Sequence, residues 1–140
     1  MNYLIIFFTL LFINTQSNDT HTLTVTIDNI KTMEGTLEVA LFNKSDRFME
    51  EGQAYKSVSI KVENGSETFV FENLPKDVYA ISLYHDENAN GECDRNFFGI
   101  PKEPYAFSNN FKPKFSAPTF DDCQFELTAD TSMEIELLKF

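Results

Sequence analysis

Tryptophan is absent from this sequence of 140 residues, and cysteine, glycine and proline are scarce at 2, 5 and 5. So little glycine and proline excludes a collagen-like or low-complexity chain. Neither Cys-x-x-Cys nor a nearby His-x-x-His occurs, which counts against thiol redox catalysis and structural zinc. Basic side chains are also short: Lys plus Arg number 11 against 22 Asp plus Glu, a net charge of −11. Nucleic-acid backbones need a basic face, so a nucleic-acid partner is excluded, and an anionic membrane surface is a poor one. What the chain does have is aromatic bulk, with 15 Phe and 5 Tyr among 42% hydrophobic residues. That is enough for one compact domain and too little for two.

The longest apolar run is Tyr3 to Ile13, followed by Asn14-Thr15-Gln16-Ser17. A run of this length fits the apolar centre of a signal peptide, whereas a bilayer span needs about 20 residues. Thr15 and Ser17 suit the small −3 and −1 positions, placing cleavage near Ser17–Asn18. Residues 1–17 therefore read as a signal peptide and 18–140 as a single domain, secreted or periplasmic, with no transmembrane anchor after cleavage. No Cys follows the run, so lipid attachment is not indicated. Cys93 and Cys123, an even pair in an exported chain, are expected to form a disulfide. Closing that loop of about 31 residues would remove roughly 3–4 kcal/mol of unfolded-state entropy.

Beyond residue 18 the dominant pattern has period 2. Leu23, Val25 and Ile27 alternate with Thr22, Thr24 and Thr26, and Leu37, Val39 and Leu41 share a face of the next run. These two runs are expected to pair as a hairpin around Met33-Glu34-Gly35. Further strands are expected at 55–62, 66–72 and 78–84, with a last hairpin of 123–128 and 132–138 around Ala129-Asp130-Thr131. Ser45–Glu50 is the one good helical segment, with Ser45 as N-cap. Seven strands at short spacing predict an all-β antiparallel β-sandwich. His85–Asp122 stands apart as about 38 residues with little strand pattern, longer than an ordinary loop. Phe at 97, 98, 107, 111, 115 and 120 makes it too apolar for disorder, so it is expected to fold back over the sandwich.

Three stretches together resemble a known family. They are Asn73-Leu74-Pro75-Lys76-Asp77-Val78-Tyr79-Ala80, then His85-Asp86-Glu87-Asn88-Ala89-Asn90-Gly91 with Asp94, then Gly99-Ile100-Pro101 running to Tyr105-Ala106-Phe107-Ser108-Asn109-Asn110; Pro118 with Phe120 continues the pattern. This resembles the exported bacterial family labelled domain of unknown function 2141, over nearly all of the mature chain. The resemblance implies a signal peptide and a small all-β domain, and no established reaction. The Leu-Pro-x-x-x-Tyr element also resembles transthyretin-like and collagen-binding B-type sandwiches, a likeness of fold only.

One constellation carries chemistry. Asp86-x-Asn88-x-Asn90-Gly91-x-x-Asp94 places oxygen side chains at loop positions 1, 3, 5 and 9 with Gly at 6, and the Glu92 carbonyl would stand at 7. This is the opening of an EF-hand-type calcium spacing, because alternate residues of a tight loop point inward toward an ion that takes six to eight oxygens. Position 12 departs from it: Phe97 stands where a bidentate Glu belongs. Asp121 or Asp122 could supply the missing carboxylate once a disulfide draws them near. The competing reading is an Asx-turn loop in which Asp and Asn bond their own backbone. His85 could be a general base, with Glu87 or Asp94, in a small hydrolase; Glu87 and Glu92 form a weak carboxylate pair. No Gly-x-Ser-x-Gly or other nucleophile motif accompanies it. The residues favour a non-catalytic module that binds or builds the cell envelope, its ligand unknown, with Tyr105, Asn109 and Asn110 as the exposed surface.

Overall fold

The computed structural model describes residues 19–139; the expected signal segment lies outside the described residues. Eight strands occur among them: β1 (Thr20–Asp28), β2 (Thr36–Phe42), β3 (Lys56–Lys61), β4 (Glu67–Pro75), β5 (Asp77–Asp86), β6 (Tyr105–Phe107), β7 (Phe125–Leu127) and β8 (Thr131–Glu136). They form two sheets. One has the order β4-β1-β8, and the other has the order β3-β2-β5-β6 with β7 also paired to β5. Leu23, Val25 and Ile27 from the first sheet meet Leu37, Val39, Leu41, Ile81 and Leu83 from the second in one buried core. Each such side chain, fully removed from water, contributes about 1.5–3 kcal/mol.

The alternating runs are strands as expected, but the pairings differ. β1 and β2 do not form a hairpin: β1 pairs antiparallel with β4 and parallel with β8, while β2 pairs with β3 and β5. The seven-residue connector between them is too long for a tight hairpin and crosses between the sheets, tied on the way by Ile30 N–H to the Gly65 carbonyl. β7 and β8 are likewise split, β7 to β5 and β8 to β1. Two runs that each bury one face can face each other across a core instead of lying side by side, and alternation alone does not distinguish the two arrangements. The expected helix at 45–50 is a single 3₁₀ turn, Ser45–Arg47, whose N-cap is Lys44 without a side-chain cap bond.

Within His85–Asp122 the chain is more ordered than its pattern suggests. β5 continues to Asp86, β6 pairs with it, and α1 (Phe120–Cys123) closes the segment. α1 is set by a capping box: Thr119 accepts from Asp122 N–H, and the Asp122 carboxylate accepts from Thr119 N–H at 2.8 Å. Asp122, though exposed, is thus the N3 member of the box. Phe107 and Phe120 fold back as expected. With Phe42, Phe48, Ala80 and Cys123 they form a second cluster, which Phe111 borders. Phe42 meets Phe48 edge-on at 5.4 Å and Phe48 meets Phe120 at 5.9 Å. Phe97, Phe98 and Phe115 do not fold back; they are bare to solvent.

The Leu-Pro-x-x-x-Tyr element has a mechanical role. Leu74 is buried, and Tyr79 Oη donates to the Pro75 carbonyl at 2.8 Å, locking the step from β4 to β5. Burial, reinforced by Tyr55 and Asp77, pushes the Tyr79 hydroxyl up to about 12.

No disulfide joins Cys93 and Cys123; both are free thiols. Cys123 lies in the phenylalanine cluster, with its carbonyl accepting from Ser108 Oγ, whereas Cys93 is half-buried in the acidic loop after β5. Burial, with the Asp122 charge, pushes the Cys123 thiol up to about 12, and burial also raises Cys93 against the pull of Arg95.

Candidate functional site

β5 ends on two buried polar residues, His85 and Asp86, and the chain then makes its longest excursion before returning as β6. His85 is fully buried. Its Nε2 lies 2.7 Å from the Glu34 carbonyl, which only accepts, so Nε2 carries the proton; Nδ1 is buried without a hydrogen-bond partner among the described residues. The imidazole thus bonds a backbone carbonyl inside the fold. It fastens the end of β5 to the turn before β2.

Asp86 organises the loop beyond β5. Its Oδ1 accepts from Asn90 N–H at 3.1 Å and its Oδ2 from Gly91 N–H at 2.8 Å. Asn88 and Asn90 then turn their side-chain amides onto one group. Asn88 Nδ2 donates to Asp94 Oδ2 at 2.7 Å, and Asn90 Nδ2 donates to both Asp94 oxygens at 3.1 and 3.2 Å. Their own oxygens face backbone, Asn88 Oδ1 accepting from Asn90 N–H and Asn90 Oδ1 from Glu92 N–H. The sequence-predicted set Asp86, Asn88, Asn90 and Asp94 is therefore brought together, with amide hydrogens where a cation would draw oxygens. Among the described residues, no group of three or more His, Cys, Asp or Glu is placed to hold a metal ion, so any such site would lean on amide and carbonyl oxygens. Glu92 is exposed. The tight winding places Ala89 at φ 53, an uncomfortable region for a residue with a Cβ, and Gly91 at φ 79.

Glu103 stitches the excursion shut. It is 5% exposed, and its two oxygens accept from Glu87 N–H and Asp94 N–H, each at 3.1 Å. Glu87 stands beside it, bonded by Thr32 and Lys139. Burial pushes its carboxyl up, but the Thr32 hydroxyl at 2.9 Å and Lys139 Nζ at 3.2 Å outweigh that and hold it below the ordinary range. Thr32, Glu34, Glu87, Asp94, Arg95, Lys102 and Glu103 surround an open polar cleft of about 490 Å³.

From this base a second, smaller hairpin rises. Lys102 N–H donates to the Asp94 carbonyl at 2.8 Å, Arg95 bridges to Pro101, and Asn96 N–H donates to the Ile100 carbonyl at 2.8 Å. Asn96 Oδ1 accepts from both Phe98 N–H and Ile100 N–H, at 2.9 and 3.0 Å, and Gly99 completes the turn at φ 77. At its tip Phe97 is 98% exposed and Phe98 82%, their rings edge-to-face at 5.6 Å, with Ile100 half-exposed beside them. Single exposed apolar residues are ordinary, but adjacent bare phenyl rings on a hydrogen-bonded frame are not. The sequence pattern misses this tip, because six Phe in one loop read as packing. The signal that could have found it is Asn96-x-x-Gly99 followed by Pro101, a turn signature beneath the aromatic pair.

Of the surface expected at Tyr105, Asn109 and Asn110, the two asparagines are exposed and Tyr105 is not. Tyr105 is buried and exchanges both backbone hydrogen bonds with Leu138. Asn109 Nδ2 donates to the Gln124 carbonyl, while Asn110 imitates a strand residue on the edge of β8, donating to the Glu134 carbonyl and accepting from Glu136 N–H.

The family model described as "Uncharacterized protein conserved in bacteria (DUF2141)" matches residues 25–136, from within β1 to the end of β8. The chain belongs to that family. No curated protein and no solved structure matches it. For this member of DUF2141 the match spans the complete excursion between β5 and β6. Among the described residues no helix is long and apolar enough to cross a membrane.

Proposed function

We propose that this chain is an exported, non-catalytic binding module of the bacterial envelope or its surroundings, built on an immunoglobulin-like or transthyretin-like β-sandwich, and that its contact surface is the Asp94–Lys102 hairpin. The observation that carries this reading is the pair Phe97 and Phe98, almost wholly bare yet held on a frame of backbone and Asn96 bonds. Ordering a loop before it meets its partner removes entropy that binding would otherwise have to offset. Burial of His85, with its Nε2 on the Glu34 carbonyl, supports the non-catalytic reading over a hydrolase that would use it as base. Export rests on the Tyr3–Ile13 run ahead of Thr15 and Ser17.

The test is a photo-crosslinking phenylalanine analogue placed at position 97 in the native host. A discrete cross-linked species is expected there and not with the analogue at Ser132, an exposed position on the β4-β1-β8 sheet. The same products from both positions, or none from position 97, would count against the hairpin as the contact surface.

A second reading has its own observation, the convergence of Asn88, Asn90 and Asp94 beside a carboxylate that already caps loop positions 5 and 6. In it Asp86, Asn88, Asn90, the Glu92 carbonyl and Asp94 bind Ca²⁺, both Asn side chains turning their oxygens inward. Calcium at ten times its dissociation constant is expected to stabilise the fold by about 1.4 kcal/mol. Mg²⁺ should do less, since it prefers a tight octahedron and keeps its waters. Asp94→Ala should stay folded and lose the response. Identical melting curves in millimolar calcium and in chelator would reduce the loop to an Asx-turn structure.

A further inference from the structure

We propose that the partner of the Phe97–Phe98 tip is a polypeptide whose apolar pocket is framed by lysine or arginine side chains. This rests on the hairpin being the contact surface and adds the chemistry of what meets it. Two bare phenyl rings and half-exposed Ile100 need an apolar counterpart, and their edge-to-face packing presents them as one shaped wedge.

The ground beneath the wedge sets the sign of the counterpart's rim. Exposed Glu34 and Glu92 have no cation within ion-pair distance among the described residues, and Asp94 takes only amide hydrogens. These carboxylates project their charge around the base of the hairpin. Of the nearby cations, Lys139 is committed to Glu87, Arg95 Nη1 donates to the Gly99 carbonyl inside the hairpin, and exposed Lys102 is in no ion pair among the described residues; in the cleft Arg95 and Lys102 are outnumbered by Glu34, Glu87, Asp94 and Glu103. The whole chain adds a net charge of −11 behind them. An apolar surface rimmed by acids would be repelled here, and one rimmed by bases is steered in and desolvated against a complementary field. A phospholipid surface offers the wedge apolar matter but no excess positive charge, and an anionic one is repelled.

The probe is a synthetic peptide of alternating lysine and leucine, titrated into the mature protein and into the Phe97→Ser/Phe98→Ser double variant. Because both side chains lie outside the core, the variant keeps the fold and the charge and lacks only the wedge. The wild type is expected to bind the peptide at least about tenfold more tightly than the variant. Affinity should fall as salt screens the rim. The matching glutamate–leucine peptide and phosphatidylcholine vesicles are the other arms. If either binds through Phe97 and Phe98 while the basic peptide does not, the partner chemistry is overturned and the hairpin stands as the contact surface. If the basic peptide binds both proteins equally, attraction is general charge and the proposal fails. If no probe distinguishes the variant, the contact surface falls with it.

Discussion

Gly35→Ala is expected to destabilise the protein by about 3 kcal/mol or more, lowering its melting temperature by on the order of 10 °C. Two effects combine at this residue. Its φ of 73 lies where a side chain clashes with its own backbone, a cost of roughly 1–2 kcal/mol. A Cβ there would also collide with the Asp86 carbonyl, because the turn before β2 lies directly on the end of β5. That carbonyl is backbone, held in place by the β2 pairing of Thr36 with Asp86, and cannot swing aside. Gly91→Ala is the control. Its φ of 79 is equally unfavourable, but none of the described residues stands within 4 Å of the added Cβ, so the cost is expected to be only about 1 kcal/mol. Urea unfolding of the two variants measures the difference. Equal midpoints would mean that the close approach of Gly35 to Asp86 is not a feature of the folded protein.

Glu103→Ala is expected to cost about 2–4 kcal/mol and to open the excursion between β5 and β6. The side chain is nearly buried and accepts from Glu87 N–H and Asp94 N–H, and hydrogen bonds to a charged acceptor are each worth about 1.5–3 kcal/mol. Removing it leaves two backbone donors at the neck of the loop that only entering water can satisfy. Glu103→Gln should fall between the variant and the wild type. Its carbonyl oxygen can serve one donor, while its amide turns hydrogens toward the other. Limited proteolysis between Arg95 and Lys102 should accelerate in the order wild type, Gln, Ala. Cleavage at one rate in all three would show that Glu103 does not hold the neck.

Strands are legible because a sheet with one buried face writes period 2 into the chain, as Leu23-x-Val25-x-Ile27 does. Which strands pair is not legible. β1 and β2 bury equivalent faces, and only the Asn29–Gly35 connector and the parallel arrival of β8 beside β1 send them to different sheets. The loop after His85 is legible residue by residue, since Asp and Asn at alternate positions beside Gly91 bring their side chains together whatever they bind. The destination of each phenylalanine is not. Phe97 and Phe107 stand in the same long stretch of weak strand pattern, and Asn96 and Gly99 fold a turn that lifts the first away from the core. Tyr105 is misplaced by the sequence pattern for a related reason, since nothing local announces its backbone pairing with Leu138. Asn109 and Asn110 are exposed, as a polar pair in a long loop suggests, but nothing local announces that Asn110 also completes the edge of β8.

Phe97 and Phe98 stand on a built hairpin and are not caught outward on a slack loop. Backbone amide order parameters across residues 94–102 test it most directly, in the protein without any ligand. The bonds from Phe98 and Ile100 N–H to Asn96 Oδ1, and from Lys102 N–H to the Asp94 carbonyl, predict values near about 0.85, those of rigid backbone. Values below about 0.6 through Phe97–Ile100 would contradict it, because a tip that moves on the picosecond-to-nanosecond scale presents no wedge to a partner.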